Sequence, residues 1–145
     1  MEAVIQTRNF ALIYGILFLA AGTAGFVPGT VHPMPPGSPP MAVDQGYGMI
    51  LGILPVNVLH NAVHLLFGVM GLLAFAGWMA PRLYAQVVAV AYGALVLLGL
   101  FPTTFTTFGL IPIFGNDVWL HLILAIPAAY FGFAMTSMVV AEQGR

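Results

Sequence analysis

The chain has 145 residues and a formal net charge of −1; 61% of its residues are hydrophobic, 5% are charged, and its mean hydropathy is +1.02. A soluble domain of this size carries about 25% charged residues to keep its surface in water, so a soluble globular domain is excluded. Lysine is absent, which removes the electrostatic footprint of a nucleic-acid binder. Cysteine is absent too, which removes disulfides, thiolate metal sites, iron–sulfur clusters and thiol catalysis. What remains is a membrane protein.

The charges are Glu2, Arg8, Asp44, Arg82, Asp117, Glu142 and Arg145, and four apolar stretches lie between them. A spanning helix needs roughly 20 apolar residues at 1.5 Å each. The pattern predicts one transmembrane domain over residues 1–145, with helices at about 10–27, 56–80, 83–101 and 118–141. In lipid the backbone must satisfy its own hydrogen bonds, so an all-α four-helix bundle embedded in the membrane is expected. Arg8 and the small residues Ala21–Gly25 also give the first stretch the marks of a signal peptide; a retained signal anchor forming the first span is the expectation.

Orientation follows from the arginines. Arg8, Arg82 and Arg145 all fall on one side of four spans, and the opposite loops, 28–55 and 102–117, hold no Arg or Lys. By the positive-inside rule both termini are cytoplasmic. The first outer loop is proline-rich at 28–40, too much so for helix or central strand, and predicts a stiff cap carrying an exposed His32. Segments 46–55 and 101–108 predict short interfacial elements. Tyr14, Trp78, Tyr84 and Trp119 are expected in an aromatic belt.

The two halves resemble each other. Ala11–Leu19, containing Tyr14 and Gly15, matches Ala89–Leu97, containing Tyr92 and Gly93; Gly52–Val56 echoes Gly109–Ile113; His60 and His64 align with Asp117 and His121. Two tandem transmembrane hairpins related by an axis along the membrane normal are expected, with His64 facing His121.

The chemistry is concentrated at two helix starts. Asn57, His60, Asn61 and His64 lie in the second helix, and Asn116, Asp117 and His121 at the start of the fourth. A four-residue spacing puts His60 above His64 and Asp117 above His121. The faces continue through Gly68, Gly71 and Phe75 in one helix and Ala125, Ala128 and Gly132 in the other, and the small residues among them mark both as inward. At 1.5 Å per residue His64 and His121 lie roughly 6–11 Å below their helix starts.

Three imidazoles and a carboxylate at His60, His64, Asp117 and His121 suit a divalent metal such as zinc, copper or iron. The histidines could instead hold a haem, or the magnesium of a chlorin. A His/Asp proton relay is a further version. Asn57, Asn61 and Asn116 would then fix ring tautomers from behind. Against all of these stands a plain structural role. Asn57 and Asn116 are good helix caps, Asp117 suits a first turn, and hydrogen bonds among such residues hold helices together without any ligand.

Sharper motifs are missing. His60–His64 lacks the glutamate of HExxH, the predicted helices lack the ExxH spacing of di-iron bundles, and neither Ser38 nor Ser137 stands in G-x-S-x-G. Pro127 predicts a bend in the fourth helix. Met34 and Met41 flank the outer loop as candidate soft copper ligands, although packing is the ordinary role of methionine.

The run Pro55–Gly71, with Asn57, His60, Asn61 and His64, together with Asn116-Asp117-x-x-Leu-His121, resembles a bacterial family of small four-helix membrane proteins classed as a domain of unknown function. The resemblance spans about residues 8 to 138, with departure expected at 33–40. It implies the fold, a location in a bacterial inner or intracytoplasmic membrane, and that His60, Asn61, His64, Asp117 and His121 belong to the shared pattern. It supplies no activity.

The expected role is non-enzymatic: an accessory or scaffolding subunit of a larger membrane complex that holds a metal or tetrapyrrole, or no cofactor, at the outer His/Asp cluster. Its partners would be the lipid bilayer and other membrane subunits or further copies of itself. The alternatives are a metal handler or metalloenzyme using the cluster, and a proton or small-solute pathway. Few polar residues lie deeper than His64 and His121 apart from Thr136 and Ser137, which counts against the pathway.

Overall fold

A computed structural model of the protein describes residues 2–135. Four helices dominate it: α1 (Glu2–Ala24), α2 (Val58–Ala76), α3 (Pro81–Gly99) and α4 (Asn116–Ala129), which runs on as a π-helical turn over Tyr130–Ala134. Taking that turn with α4, all four are long and apolar enough to cross a membrane. The expected all-α membrane-embedded bundle is present. Its one addition among the described residues is a small antiparallel sheet.

The helix ends differ from expectation for local reasons. α1 begins at Glu2, not near residue 10, because Glu2–Asn9 holds neither Gly nor Pro and the charge of Arg8 is accommodated. Its Nε and Nη2 donate to the Phe75 carbonyl at 3.1 and 2.7 Å, and the guanidinium lies 5.3 Å from the Phe75 ring centre. Arg8 therefore does not end the helix. α2 stops at Ala76 instead of 80 because Gly77 turns left-handed at φ +88°, and the N–H groups of Gly77 and Trp78 bond back to Ala74 and Leu73. That pairing is a Schellman cap. α3 starts two residues earlier than predicted, with Pro81 at its first position, where a missing N–H costs nothing. α4 starts at Asn116; its predicted end at 141 lies outside the described residues, as do Thr136, Ser137, Glu142 and Arg145.

The helices pair as two hairpins, α1 with α2 and α3 with α4, and α3 also packs on α1 and α2. Glycine sets the first pairing: a Cβ on Gly71 would stand 2.7 Å from the Gly15 Cα and 2.8 Å from the Ala11 carbonyl oxygen. Gly132 does the same for the second, against Gln86. The inward faces expected through Gly68, Gly71, Ala125, Ala128 and Gly132 are all buried, whereas Phe75 is partly buried under Arg8. Three residues past Pro127 the backbone widens into the π-turn, and the Gly132 carbonyl accepts from Arg82 Nε and Gln86 Nε2 at 3.0 Å each.

Two stripes at four-residue spacing, Phe10–Tyr14–Phe18 on α1 and Tyr84–Val88–Tyr92 on α3, fill the core. Tyr14 and Tyr84 are therefore interior residues, 6% and 0% exposed, and not members of an aromatic belt. Trp78 and Trp119 are exposed, at opposite ends of the bundle, as a belt requires.

The halves agree only in places. Gly52 and Gly109 both take left-handed φ, and Pro55 and Pro112 are both fully buried. Gly15, however, is pressed against α2 while its counterpart Gly93 faces open space. The two halves thus pack differently at this matched pair.

The long loops close one end of the bundle. Residues 46–55, expected as an interfacial element, form strands β2 (Gly48–Ile50) and β3 (Leu54–Val56), with β1 (Val31–His32) at the edge. The proline-rich stretch 33–40 carries no regular structure, and His32 is exposed. Segment 101–110 is a chain of turns in which Phe101 and Phe108 are exposed and Phe105 packs on Phe114. The loops interlock through the N–H groups of Ala42 and Val43, both donating to the Gly109 carbonyl.

Candidate functional site

Asn57 positions the site. Its side-chain oxygen accepts the His60 N–H at 2.8 Å, capping α2, while Nδ2 donates to the Val43 and Leu110 carbonyls at 2.8 and 2.7 Å. One side chain thus starts the helix and latches both long loops above it. His60 is held in the first turn of α2, under the loops, and His64 follows one turn deeper.

Three imidazoles converge there. The His60 ring lies 4.6 Å from that of His64 and 5.9 Å from that of His121, centre to centre. One nitrogen from each of His60, His64 and His121 falls within 4.8 Å of the other two. His60 and His121 are each 2% exposed. The outer rings of the group are backed by aromatics from the other hairpin partners: Phe18 stacks on His64 at 6.0 Å and 7°, and Tyr92 on His121 at 4.6 Å and 28°.

Asp117 orients His121. Nδ1 of His121 lies 2.7 Å from the Asp117 backbone carbonyl and 3.3 Å from its Oδ2. A carbonyl only accepts, so Nδ1 carries the hydrogen and Nε2 keeps the lone pair. The converging nitrogens belong to the three histidines, and the Asp117 carboxylate stands beside them. Neither nitrogen of His60 makes a hydrogen bond, nor does Nδ1 of His64 or Oδ2 of Asp117. The Pro55 carbonyl approaches the His60 ring outside hydrogen-bond geometry. Each such buried group costs about 1–3 kcal/mol unless something pairs with it.

The family described as Domain of unknown function (DUF4383) matches residues 8–134. The chain belongs to that family. No curated protein and no solved structure matches it. DUF4383 membership covers all four helices and the histidine cluster, and brings no activity with it.

Asn57 caps α2 as its position predicts, but the other contacts of the asparagines differ from expectation. Asn57 latches loops, and its hydrogen bonds reach no histidine ring. The Asn61 carboxamide fills the space left by Gly25, where a Cβ would overlap it. Asn116 does not cap α4: Gly115 does so, without a side-chain bond, and Asn116 Nδ2 reaches the Ile53 carbonyl at 3.4 Å. Tyr92 and Phe18, which wall the cluster, went unassigned from sequence. Their four-residue stripes with Tyr84 and Tyr14 were the available signal.

Proposed function

We propose that the protein holds one divalent transition-metal ion within the membrane through His60, His64 and His121, as a non-enzymatic accessory subunit of a larger membrane assembly. The observation that supports this best is His60, a buried imidazole with no hydrogen bond, beside two further imidazoles. Nitrogens about 2.1 Å from a tetrahedral ion stand about 3.4 Å apart, so a set now spread over 4.8 Å would have to draw in by up to about 1.4 Å, within reach of ring rotations. Neutral imidazoles suit zinc, copper, iron or nickel. Asp117 serves by fixing the His121 tautomer, the usual task of a partner behind a metal-bound histidine.

A single ion fits better than a tetrapyrrole. Phe18 and Tyr92 lie on two of the rings, where a haem or chlorin macrocycle would need room. The arginine distribution supports the orientation in which the loop-capped end, with the cluster, faces outward and both termini are cytoplasmic. Lateral partners in the bilayer are the natural ones, since the longest described segment outside the helices, residues 25–57, is fastened down onto the bundle. A second role as a metal handler or metalloenzyme draws on one feature: three imidazoles leave a coordination position for another ligand. A proton pathway draws no comparable support, because the core beneath the cluster is aromatic and the Tyr14 hydroxyl is engaged by the Leu124 carbonyl.

Two measurements test this. Titration of the metal-stripped protein in detergent with Zn²⁺ is expected to saturate at one ion per chain, with His60→Ala weakening binding more than about tenfold. Absence of saturable binding, or an unchanged His60→Ala, would overturn the metal role. Purification from native membranes is expected to recover a stoichiometric second protein; the chain alone would count against the accessory role.

A further inference from the structure

A cavity of about 440 Å³ opens beside the cluster, between α1, α4 and the β2–β3 hairpin. On α1 it is lined by Leu17, Ala20, Ala21 and Ala24, one helical face at three- and four-residue spacing whose small side chains leave the space. Leu120 and Leu124 form the α4 wall, and the hairpin lies over the top. Leu17, Leu51 and Ile53 on its margin are half or more exposed, so the cleft communicates with the lipid side of the bundle. Its size is that of a small-molecule site.

Two polar groups interrupt this apolar lining, His64 and Asp117. Asp117 is 2% exposed and its Oδ2 has no hydrogen bond; Nδ1 of His64 has none either. Oδ2 of Asp117 has the His121 Nδ1–H near it, at 3.3 Å but off hydrogen-bond geometry, and so still lacks a donor; Nδ1 of His64 lacks any partner, donor or acceptor. A hydroxyl supplies both at once, since it donates one hydrogen and accepts through two lone pairs. A phosphate or carboxylate head is disfavoured, because the loops over this end, 25–57 and 100–115, contain no Arg or Lys and hold Asp44. An ammonium head could donate but not accept.

We infer that the α1–α4 cleft binds a neutral lipid with a single apolar chain ending in a hydroxyl, the chain lying along the alanine face and the hydroxyl meeting Asp117 and His64. The site adjoins the metal and shares His64 with it, one ring nitrogen for the ion and Nδ1 for the cleft, while Asp117 acts on His121 through its backbone carbonyl and leaves its carboxylate to the cleft. Two sources share this chemistry: a long-chain alcohol and an isoprenoid hydroquinone.

The test is photolabelling of the full chain in phosphatidylcholine nanodiscs. The probe is a long-chain alcohol carrying a diazirine, compared with the same diazirine chain esterified in phosphatidylcholine. The alcohol is expected to label 17–24 and 120–124 saturably. Unlabelled long-chain alkanol and unlabelled isoprenoid hydroquinone compete in separate arms, and the one effective at lower concentration identifies the source. Ala24→Leu, which fills the cleft, is expected to cut labelling about fivefold or more with Zn²⁺ binding retained, and Asp117→Ala is expected to cut labelling to a similar extent. Equal labelling by the phosphatidylcholine probe would mean adventitious filling by bulk acyl chains and would overturn the inference. So would labelling indifferent to both variants.

Discussion

His121 donates its Nδ1 hydrogen to the backbone carbonyl of Asp117, one helical turn before it, at 2.7 Å. Because the acceptor belongs to the backbone, the orientation of the imidazole does not depend on the Asp117 side chain. Asp117→Asn and Asp117→Ala are therefore expected to keep Zn²⁺ affinity within about tenfold of wild type, the lower limit for loss of a supporting partner. His121→Ala should abolish saturable binding. Calorimetric titration of the stripped protein checks both, and loss of binding in Asp117→Asn would transfer the orienting role to the carboxylate.

Asn57 carries three hydrogen bonds that tie α2 to both long loops. Replacing a helix cap costs about 0.5–2 kcal/mol, and each further bond adds about 1 kcal/mol. Asn57→Ala is expected to destabilise the protein by about 2–4 kcal/mol. Hydrogen exchange should rise first around 42–45 and 109–111, where the loops lose their anchor. Faster exchange spread evenly along α2 instead would refute the latch.

Gly71 and Gly93 make a matched contrast. A methyl at Gly71 meets the α1 backbone below 3 Å, so Gly71→Ala must push the helices apart, and overpacking of this kind costs about 1–3 kcal/mol. Gly93 faces open space in the middle of α3, so Gly93→Ala should be neutral or stabilising by up to about 1 kcal/mol. Thermal unfolding in detergent reads both. Equal effects would show that α1 and α2 do not cross at Gly15 and Gly71.

The parts legible in the sequence were those governed by period and charge. Four spans, the inward small-residue faces and the convergence of His60, His64 and His121 all follow from spacing along helices. Helix ends were less legible because Arg8 and Gly77 act by different physics: the arginine borrows the Phe75 carbonyl and lets α1 continue, while the glycine adopts a left-handed turn and stops α2. Asn57 was legible as the cap of α2, but the other contacts of the three asparagines were not, because their partners, Val43, Leu110, Gly25 and Ile53, are not neighbours in sequence. No local pattern announces a latch between loops. Tyr92 could have been found, since its stripe with Tyr84 and Val88 follows the helical period.

Orientation is open to direct chemistry, because the chain has no cysteine of its own. Ser38→Cys lies in the long loop and Trp78→Cys in the turn between α2 and α3, and both positions are accessible. In intact cells a membrane-impermeant maleimide is expected to label the first and spare the second. The reverse pattern would place the histidine cluster on the cytoplasmic side.

Elemental analysis of the protein isolated from membranes without chelator tests the central claim most directly. The expected result is about one equivalent of zinc, copper, iron or nickel per chain, falling below about a tenth in the His60→Ala, His121→Ala double variant. A wild-type protein free of these metals after equilibration with Zn²⁺, or a double variant that keeps them, would contradict it.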